Sequence, residues 1–274
     1  MVAAASRFID RGFDAVLEEP PDRMVLQSRG GQRVDLNGLV YRADGHAVQV
    51  DHEGDLEIFP AWGWVQRAVA GQRVVCLSAE AQRLKHRGYP PRRTDETDLA
   101  AIAHINEPPR FDPAVRPMEA GEEDLVAGIE TASDRLLRPF GMWPLPPSHP
   151  EAIAAERART VAVLVAGRPS IGFSRLELVD GHAHIGQLSV LSEYGRLGIG
   201  ASLVEASCQW ASRHGNRLIT LTTFVEVPFN APWYRRIGFR ELPDALDFEL
   251  AEVVAQEADL AAFGARVVMA RTLG

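Results

Sequence analysis

Lysine is all but missing from this chain: Lys85 stands alone beside 28 arginines. We read that skew as genomic composition bias rather than function. Cysteine is nearly as scarce, with Cys76 and Cys208 far apart and in no metal-ligand or redox spacing. Such a pair implies neither a disulfide framework nor a metal site, and it suits a reduced, cytoplasmic setting. No apolar run approaches the ~18 residues a membrane span needs. Residues 1–8 also lack the basic lead-in and hydrophobic stretch of a signal peptide, so no membrane partner is expected. Excess positive charge is absent too. The formal net charge is −8 and there is no basic tract, which argues against nucleic acid. Apolar residues at 46% and charged residues at 24% describe a globular protein whose core needs no covalent staples.

The 274 residues suffice for one large domain or two ordinary ones. The clearest boundary is Asn106-Glu107-Pro108-Pro109-Arg110-Phe111-Asp112-Pro113, a proline-rich polar stretch. It suggests a module over 1–105, a linker over 106–113 and a second domain over 114–274. Before Phe111 there are 14 basic and 16 acidic residues; from it onward there are 15 and 21. The acidity, −6 against −2, therefore sits in the second half, as a cationic acceptor would favour.

That second half alternates between strand and helix patterns. A short strand at 115–118 precedes a helix at 119–137, with Glu122, Glu123 and Asp124 in its early turns, where the dipole favours acids. A further helix spans 151–159. The β-branched run 160–166 reads as a buried strand, 170–179 as a second, and Asp180-Gly181 as a hairpin turn into a third at 183–191. A helix over 200–214 is closed by Gly215. A strand at 218–224, a short helix within 228–237, a helix at 249–262 and a strand at 265–272 complete a mixed α/β sheet.

The informative segment is Leu188-Ser189-Val190-Leu191-Ser192-Glu193-Tyr194-Gly195-Arg196-Leu197-Gly198-Ile199-Gly200-Ala201. A strand runs into a glycine-punctuated turn that opens an amphipathic helix. The first helical turn has N–H groups without intrahelical partners and carries the positive end of the dipole, a ready cradle for phosphate. A tight turn with no ligand is an equal reading of these residues alone. A P-loop would need Lys-Ser/Thr after its last glycine, but Ala201-Ser202 follows Gly200. The Rossmann fingerprint fails as well, because the next strand ends in Thr222-Thr223-Phe224 rather than an acid.

The run from Leu188 to Gly200 resembles the acetyl-CoA signature of the GCN5-related N-acetyltransferase (GNAT) superfamily, Arg/Gln-x-x-Gly-x-Gly/Ala. Gly198 and Gly200 match its glycines; Gly195 departs from its first position, where Arg196 stands one place later. About 30 residues on, Asn230-Ala-Pro-Trp-Tyr234 followed by Gly238-Phe239 is similar to the family's Asn-x-x-x-Tyr and Gly-Phe. The resemblance covers about 160 residues. It implies a mixed, mostly antiparallel sheet with splayed central strands, acetyl-CoA as co-substrate and a small amine as acceptor. It implies that Leu188, Ser189 and Val190 bind the pantetheine arm and thioester oxygen. The pyrophosphate would lie on Arg196, Leu197, Gly198, Ile199, Gly200 and Ala201. Asn230 would contact the arm or cap the short helix, and Tyr234 would be the general acid. Many relatives carry a glutamate just before the Leu-x-Val, where this chain has Gly186-Gln187. Glu226, His184 and His182 are the candidates for a base acting through water. A non-catalytic acyl-CoA sensor is the alternative that the missing glutamate supports.

In the first half, the blocks at 32–37, 74–89 and 94–99 resemble the latter part of an aminoglycoside or lincosamide nucleotidyltransferase-like domain. Asp35 sits where a third metal-binding carboxylate would be, and the Gly-Ser and Asp-x-Asp part of that family would precede residue 1. We therefore expect a smaller, truncated α+β module with no metal site of its own. It would pack on the acetyltransferase, shape the acceptor cleft or pair subunits into a homodimer through an uncovered sheet edge. An aminoglycoside-like acceptor follows from this analogy alone, and an antibiotic nucleotidyltransferase is the other-class alternative.

Overall fold

A computed structural model describes residues 2–19, 23–42, 46–50, 56–69, 71–87, 91–105, 113–146, 149–242 and 248–274. Most of the proline-rich boundary, 106–112, lies outside these residues, as does the Gly88-Tyr89 end of the block at 74–89. The chain divides into two compact units, Met1–Arg83 with Thr97–Arg110 and Leu84–Glu96 with Phe111–Gly274.

The first unit is built of small antiparallel sheets and short helices. Strands Phe13–Glu19, Arg23–Ser28 and Arg33–Asn37 form a three-stranded meander. Along the third, Val34 and Leu36 turn inward while Arg33, Asp35 and Asn37 are exposed, the period-two pattern of a strand with one wet face. The inward side chains join buried Met24, Leu26 and Ala5, the last from helix Val2–Ile9. On the wet face, Asp35 accepts two hydrogen bonds from Arg23, at 3.1 and 2.7 Å, and that guanidinium holds its carboxyl below the usual range. A second small sheet (Val40–Tyr41, Ala47–Val50, Leu56–Phe59) and a hairpin (Trp64–Val69, Gln72–Leu77) follow. Helix Ala79–Lys85 starts at Ser78, whose Oγ accepts from the Ala81 N–H at 3.1 Å, satisfying one of the orphan donors of its first turn.

In the second unit we number the elements β1 (Val115–Pro117), α1 (Glu123–Asp134), α2 (Pro150–Arg159), β2 (Thr160–Ala166), β3 (Gly172–Val179), β4 (His182–Val190), α3 (Ile199–Arg213), β5 (Leu218–Phe224), α4 (Ala231–Arg236), β6 (Arg240–Glu241), α5 (Phe248–Gln256) and β7 (Arg266–Thr272). They build one seven-stranded sheet in the order β6-β7-β5-β4-β3-β2-β1. Every neighbouring pair is antiparallel except β4 and β5, joined in parallel through α3. The mixed, mostly antiparallel sheet expected from the sequence is the sheet that forms. The β3–β4 hairpin closes on Asp180 and Gly181, both at positive φ (50° and 71°), the twist that a two-residue turn requires. Helix α3 buries Ile199, Leu203, Val204, Cys208 and Ala211, one stripe at helical spacing. Each large member stabilises the fold by roughly 1.5–3 kcal/mol through burial. Among the described residues no helix is long and apolar enough to cross a membrane.

Two helices differ from the sequence reading. The one expected over 119–137 begins only at Glu123, because Gly121 holds φ 92°, outside the helical range, and leaves Glu122 as the N-cap. Its carboxylate receives Arg116 through two 2.7 Å bonds, the Glu119 N–H at 2.8 Å and the Ser170 hydroxyl at 2.7 Å. The Arg116 bonds, foremost, hold it down at about 2. At the other end the helix tightens into a 3-10 turn, Arg135–Phe140, closed by Gly141 at φ 73°. The helix expected over 249–262 likewise stops at Gln256 and resumes as a 3-10 turn, Ala258–Ala262. Strand β6, two charged residues on a sheet edge, carries no periodic signal, and only the resemblance of Gly238-Phe239 implies a strand there.

The feature that shapes the site is the parting of β4 from β5. They pair only at Ala183↔Ile219, His184↔Thr220 and Ile185↔Leu221. Beyond Ile185, β4 stays with β3 as far as Val190, with a register shift near Gly186, while β5 follows β7. A wedge opens between them.

Candidate active site

The cleft in that wedge has a volume of about 770 Å³, toward the upper end of the ~300–1,000 Å³ usual for small-molecule sites. One wall is the freed edge of β4, including Leu188, Ser189 and Val190. With no β5 partner beyond Ile185, backbone groups along this edge are left to bind something else, since a strand's N–H and C=O groups are obligatory hydrogen-bonders. Gln187 also lines the cleft, and its Nε2 donates to the Ser189 hydroxyl at 3.0 Å.

The floor is the turn into α3. Arg196 and Gly198 both hold positive φ, 60° and 85°, and Gly198 is the N-cap. The first helical bond closes from the Ser202 N–H to the Gly198 carbonyl at 3.0 Å. The N–H groups of Ile199, Gly200 and Ala201 are thus the open donors of the first turn. Arg196, Gly198, Ile199, Gly200 and Ala201 all line the cleft; Leu197 does not, and is 41% exposed.

The opposite wall is α4. Asn230 caps it through its carbonyl, accepting from Trp233 at 2.8 Å and Tyr234 at 2.9 Å, and its side chain makes no capping bond. Asn230 thus caps the helix through its backbone and also lines the cleft. Tyr234 also lines the cleft, packed against Trp233 and Phe239 with ring centroids at 4.8 and 5.5 Å. Burial raises its phenol above the ordinary value, so the proton is held at neutral pH. These residues fit a CoA thioester: open amides at a helix N-terminus for phosphate, a free strand edge for an amide-containing arm, and a protonated phenol opposite.

The three candidate bases lie elsewhere. Glu226 is exposed and outside the cleft lining, and His182 is likewise exposed at the start of β4. His184 is 1% exposed, its Nδ1 lies 2.8 Å from the Thr220 hydroxyl, and burial brings it down to about 3, so it stays neutral.

Several lining residues escaped the sequence reading. Thr222 on β5 donates to Glu257 at 2.8 Å, and Glu257 in turn accepts from Arg266 on β7 at 2.9 Å. Phe140 and Phe229 meet edge to face at 5.8 Å. Asp134, the last residue of α1, also faces the cleft. Its type at that position was the available signal: a carboxylate at a helix C-terminus works against the dipole.

Residues 3–102 match the family model for aminoglycoside-2''-adenylyltransferase, and residues 130–239 match that of the acetyltransferase (GNAT) family. A lincosamide resistance protein of Staphylococcus haemolyticus is 27% identical over 96 residues, 35% of this chain and 60% of that protein. The chain thus spans less than two thirds of the length of that relative. A solved lincosamide antibiotic adenylyltransferase with lincomycin bound is similar at 25% identity over 38% of this chain and 66% of its own, with a TM-score of 0.33. A GNAT family acetyltransferase from Elizabethkingia anophelis, solved with acetyl-CoA bound, is similar at 14% identity over 59% of this chain and 99% of its own, with a TM-score of 0.42. The chain therefore joins an N-terminal domain of the aminoglycoside/lincosamide nucleotidyltransferase kind, over 3–102, to a C-terminal GNAT acetyltransferase domain, over 130–239.

Proposed function

We propose that the second unit transfers an acetyl group from acetyl-CoA to a small amine. The observation that carries this reading is the convergence on one cleft of three things: the open first turn of α3 behind Gly198, the unpaired edge of β4, and Tyr234 on α4. The pyrophosphate lies on the amides of Ile199, Gly200 and Ala201, with Arg196 beside it. The pantetheine arm runs along Leu188, Ser189 and Val190 as an added strand would, within reach of Asn230. Backbone donors of β4 then stabilise the charge that develops on the thioester oxygen.

The amine nitrogen, once neutral, forms a bond to the carbonyl carbon. The C–S bond breaks as the tetrahedral intermediate collapses, and the departing thiolate takes the phenolic proton of Tyr234. A thiolate with a pKa near 8.5 leaves faster when it is protonated as it goes. The domain over 3–102 suggests antibiotic-like acceptors only by analogy. Nucleotidyl transfer by that domain is the less supported reading, because Asp35 is committed to Arg23.

Calorimetric titration with acetyl-CoA followed by a thiol-release assay over an amine panel tests the proposal. Tyr234→Phe should lower kcat by at least roughly tenfold, within the range of general-acid contributions, and leave cofactor affinity nearly unchanged. Failure to bind acetyl-CoA sinks the proposal; binding without turnover of any amine indicates a sensor instead.

A further inference from the structure

The base that this chemistry needs is missing from the usual place, and the cleft supplies another carboxylate. Of its acidic lining residues, Glu257 is already spent on Arg266 and Thr222. Asp134 makes no hydrogen bond or ion pair among the described residues, though it is half-buried and faces the cavity. The charges around it are few. Glu130, one turn back on α1, lies 3.9 Å from Arg175 on β3. Arg135 and Arg138, on the 3-10 turn, stand 5.7 and 5.3 Å from the Trp143 ring. Across the cleft are the paired Glu257 and Arg266, and His184 on β4 is neutral. Burial, and then Glu130, push the Asp134 carboxyl up to about 7. A carboxylate held there is poised to take a proton near neutrality.

The walls beside Asp134 are apolar. Leu137 and Phe224 belong to a buried cluster on which Leu145 and Leu260 pack. Phe140 and Phe229, 42% and 41% exposed, extend the surface at the mouth. The lining cations other than Arg266 are Arg196, in the turn before α3, and Arg236, at the end of α4. The acceptor end therefore offers one uncommitted negative charge on an apolar bed. A polycation would leave ammonium groups against that bed without partners, an unfavourable arrangement for desolvated charge.

Resting on the acetyltransferase reading above, we propose that Asp134 is the catalytic base and anchor of the acceptor amine, and that the acceptor is a monoamine with an apolar or aromatic body rather than an aminoglycoside. The ammonium group gives one proton to the Asp134 carboxylate. The neutral nitrogen attacks the thioester carbon, and the C–S bond breaks. The thiolate takes the Tyr234 proton, the phenolate recovers one from the nitrogen of the adduct through solvent, and Asp134 releases its proton to solvent. One acetamide, one thiol and one proton result.

The test uses the full-length protein, acetyl-CoA, 2-phenylethylamine as apolar monoamine and kanamycin as polycation. The wild type should favour 2-phenylethylamine in kcat/KM by about tenfold or more, with a limb rising through about pH 7. Asp134→Asn should cut kcat/KM by roughly 100-fold, as loss of a general base does. It should also abolish the limb and raise KM for the amine, while acetyl-CoA affinity stays within about twofold; Asp134→Glu should restore part of the rate and a limb. Preference for kanamycin overturns the acceptor assignment. An Asp134→Asn enzyme that keeps its rate and its limb overturns the base. Both of these leave acetyl-CoA binding intact, whereas a wild type that ignores acetyl-CoA brings down the acetyltransferase reading and this inference together.

Discussion

Gly186 is one of the two residues, with Gln187, at the place where the resemblance implies a glutamate, and the structure gives that glycine a mechanical reason. A Cβ built there would lie 1.9 Å from Oε1 of Glu177 on the neighbouring strand. Glu177 is 3% exposed and cannot swing away cheaply: Arg159 donates to it at 3.0 Å and Arg175 at 3.5 Å. Arg175 is itself bound to Glu156 at 2.8 Å. A carboxylate thus does occupy the space beside the splay, but it comes from β3, is neutralised by two guanidinium groups and does not line the cleft. Gly186→Ala should destabilise the protein by about 1–3 kcal/mol, the usual cost of overpacking a well-filled site. Chemical denaturation measures it. In a Glu177→Ala background the same change should cost much less, since residues in contact are not additive. Equal costs in both backgrounds would mean that the clash is relieved some other way.

At the scale of elements, the turn into α3 separates two glycines that look alike in sequence. Gly198 holds φ 85°, a conformation that costs an L-residue roughly 1–2 kcal/mol. Gly200 is helical, and a Cβ there would meet Trp233 at 3.5 Å, an ordinary contact. Gly198→Ala should therefore lose about 1–2 kcal/mol in urea denaturation and weaken acetyl-CoA binding by distorting the first turn. Gly200→Ala should fold at least as stably, gaining up to about 1 kcal/mol of helix propensity. Two variants of equal stability would refute the distinction. The glycines of this turn were legible because a tight strand-to-helix turn leaves a pattern of residue types along the chain. So were β2 and β5, whose β-branched runs start and stop where the structure has them, at Thr160 and Ala166 and at Leu218 and Phe224. Long-range bonding left no such pattern. Nothing local in 119–122 announces that the Glu122 side chain serves Arg116 and Ser170. Asp134 carries only the faint mark of a carboxylate set against the helix dipole, and it faces a cavity only because β4 and β5 part. Glu226, close in sequence to the end of β5, faces solvent because the chain turns there.

At the scale of the whole chain, two domains of enzyme families share one polypeptide, and the question is which of them holds a ligand. In the first unit the carboxylate that would serve a metal, Asp35, is neutralised by Arg23 on the adjacent strand. Among the described residues no group of three or more His, Cys, Asp or Glu side chains could hold a metal ion. In the second unit, by contrast, a helix N-terminus and a strand edge stand open to the cleft. A ligand that binds only the native state stabilises it by RT ln(1 + [L]/Kd), about 2.7 kcal/mol at 100 times Kd. For a unit of this size that raises the melting temperature by roughly 5–10 °C, at about 2–4 °C per kcal/mol. Acetyl-CoA should produce that shift in differential scanning calorimetry, and MgATP with or without lincomycin should produce none. The opposite result, a shift with MgATP and none with acetyl-CoA, would move the ligand-binding function to the first unit. The open amides behind Gly198 would then be a turn and nothing more.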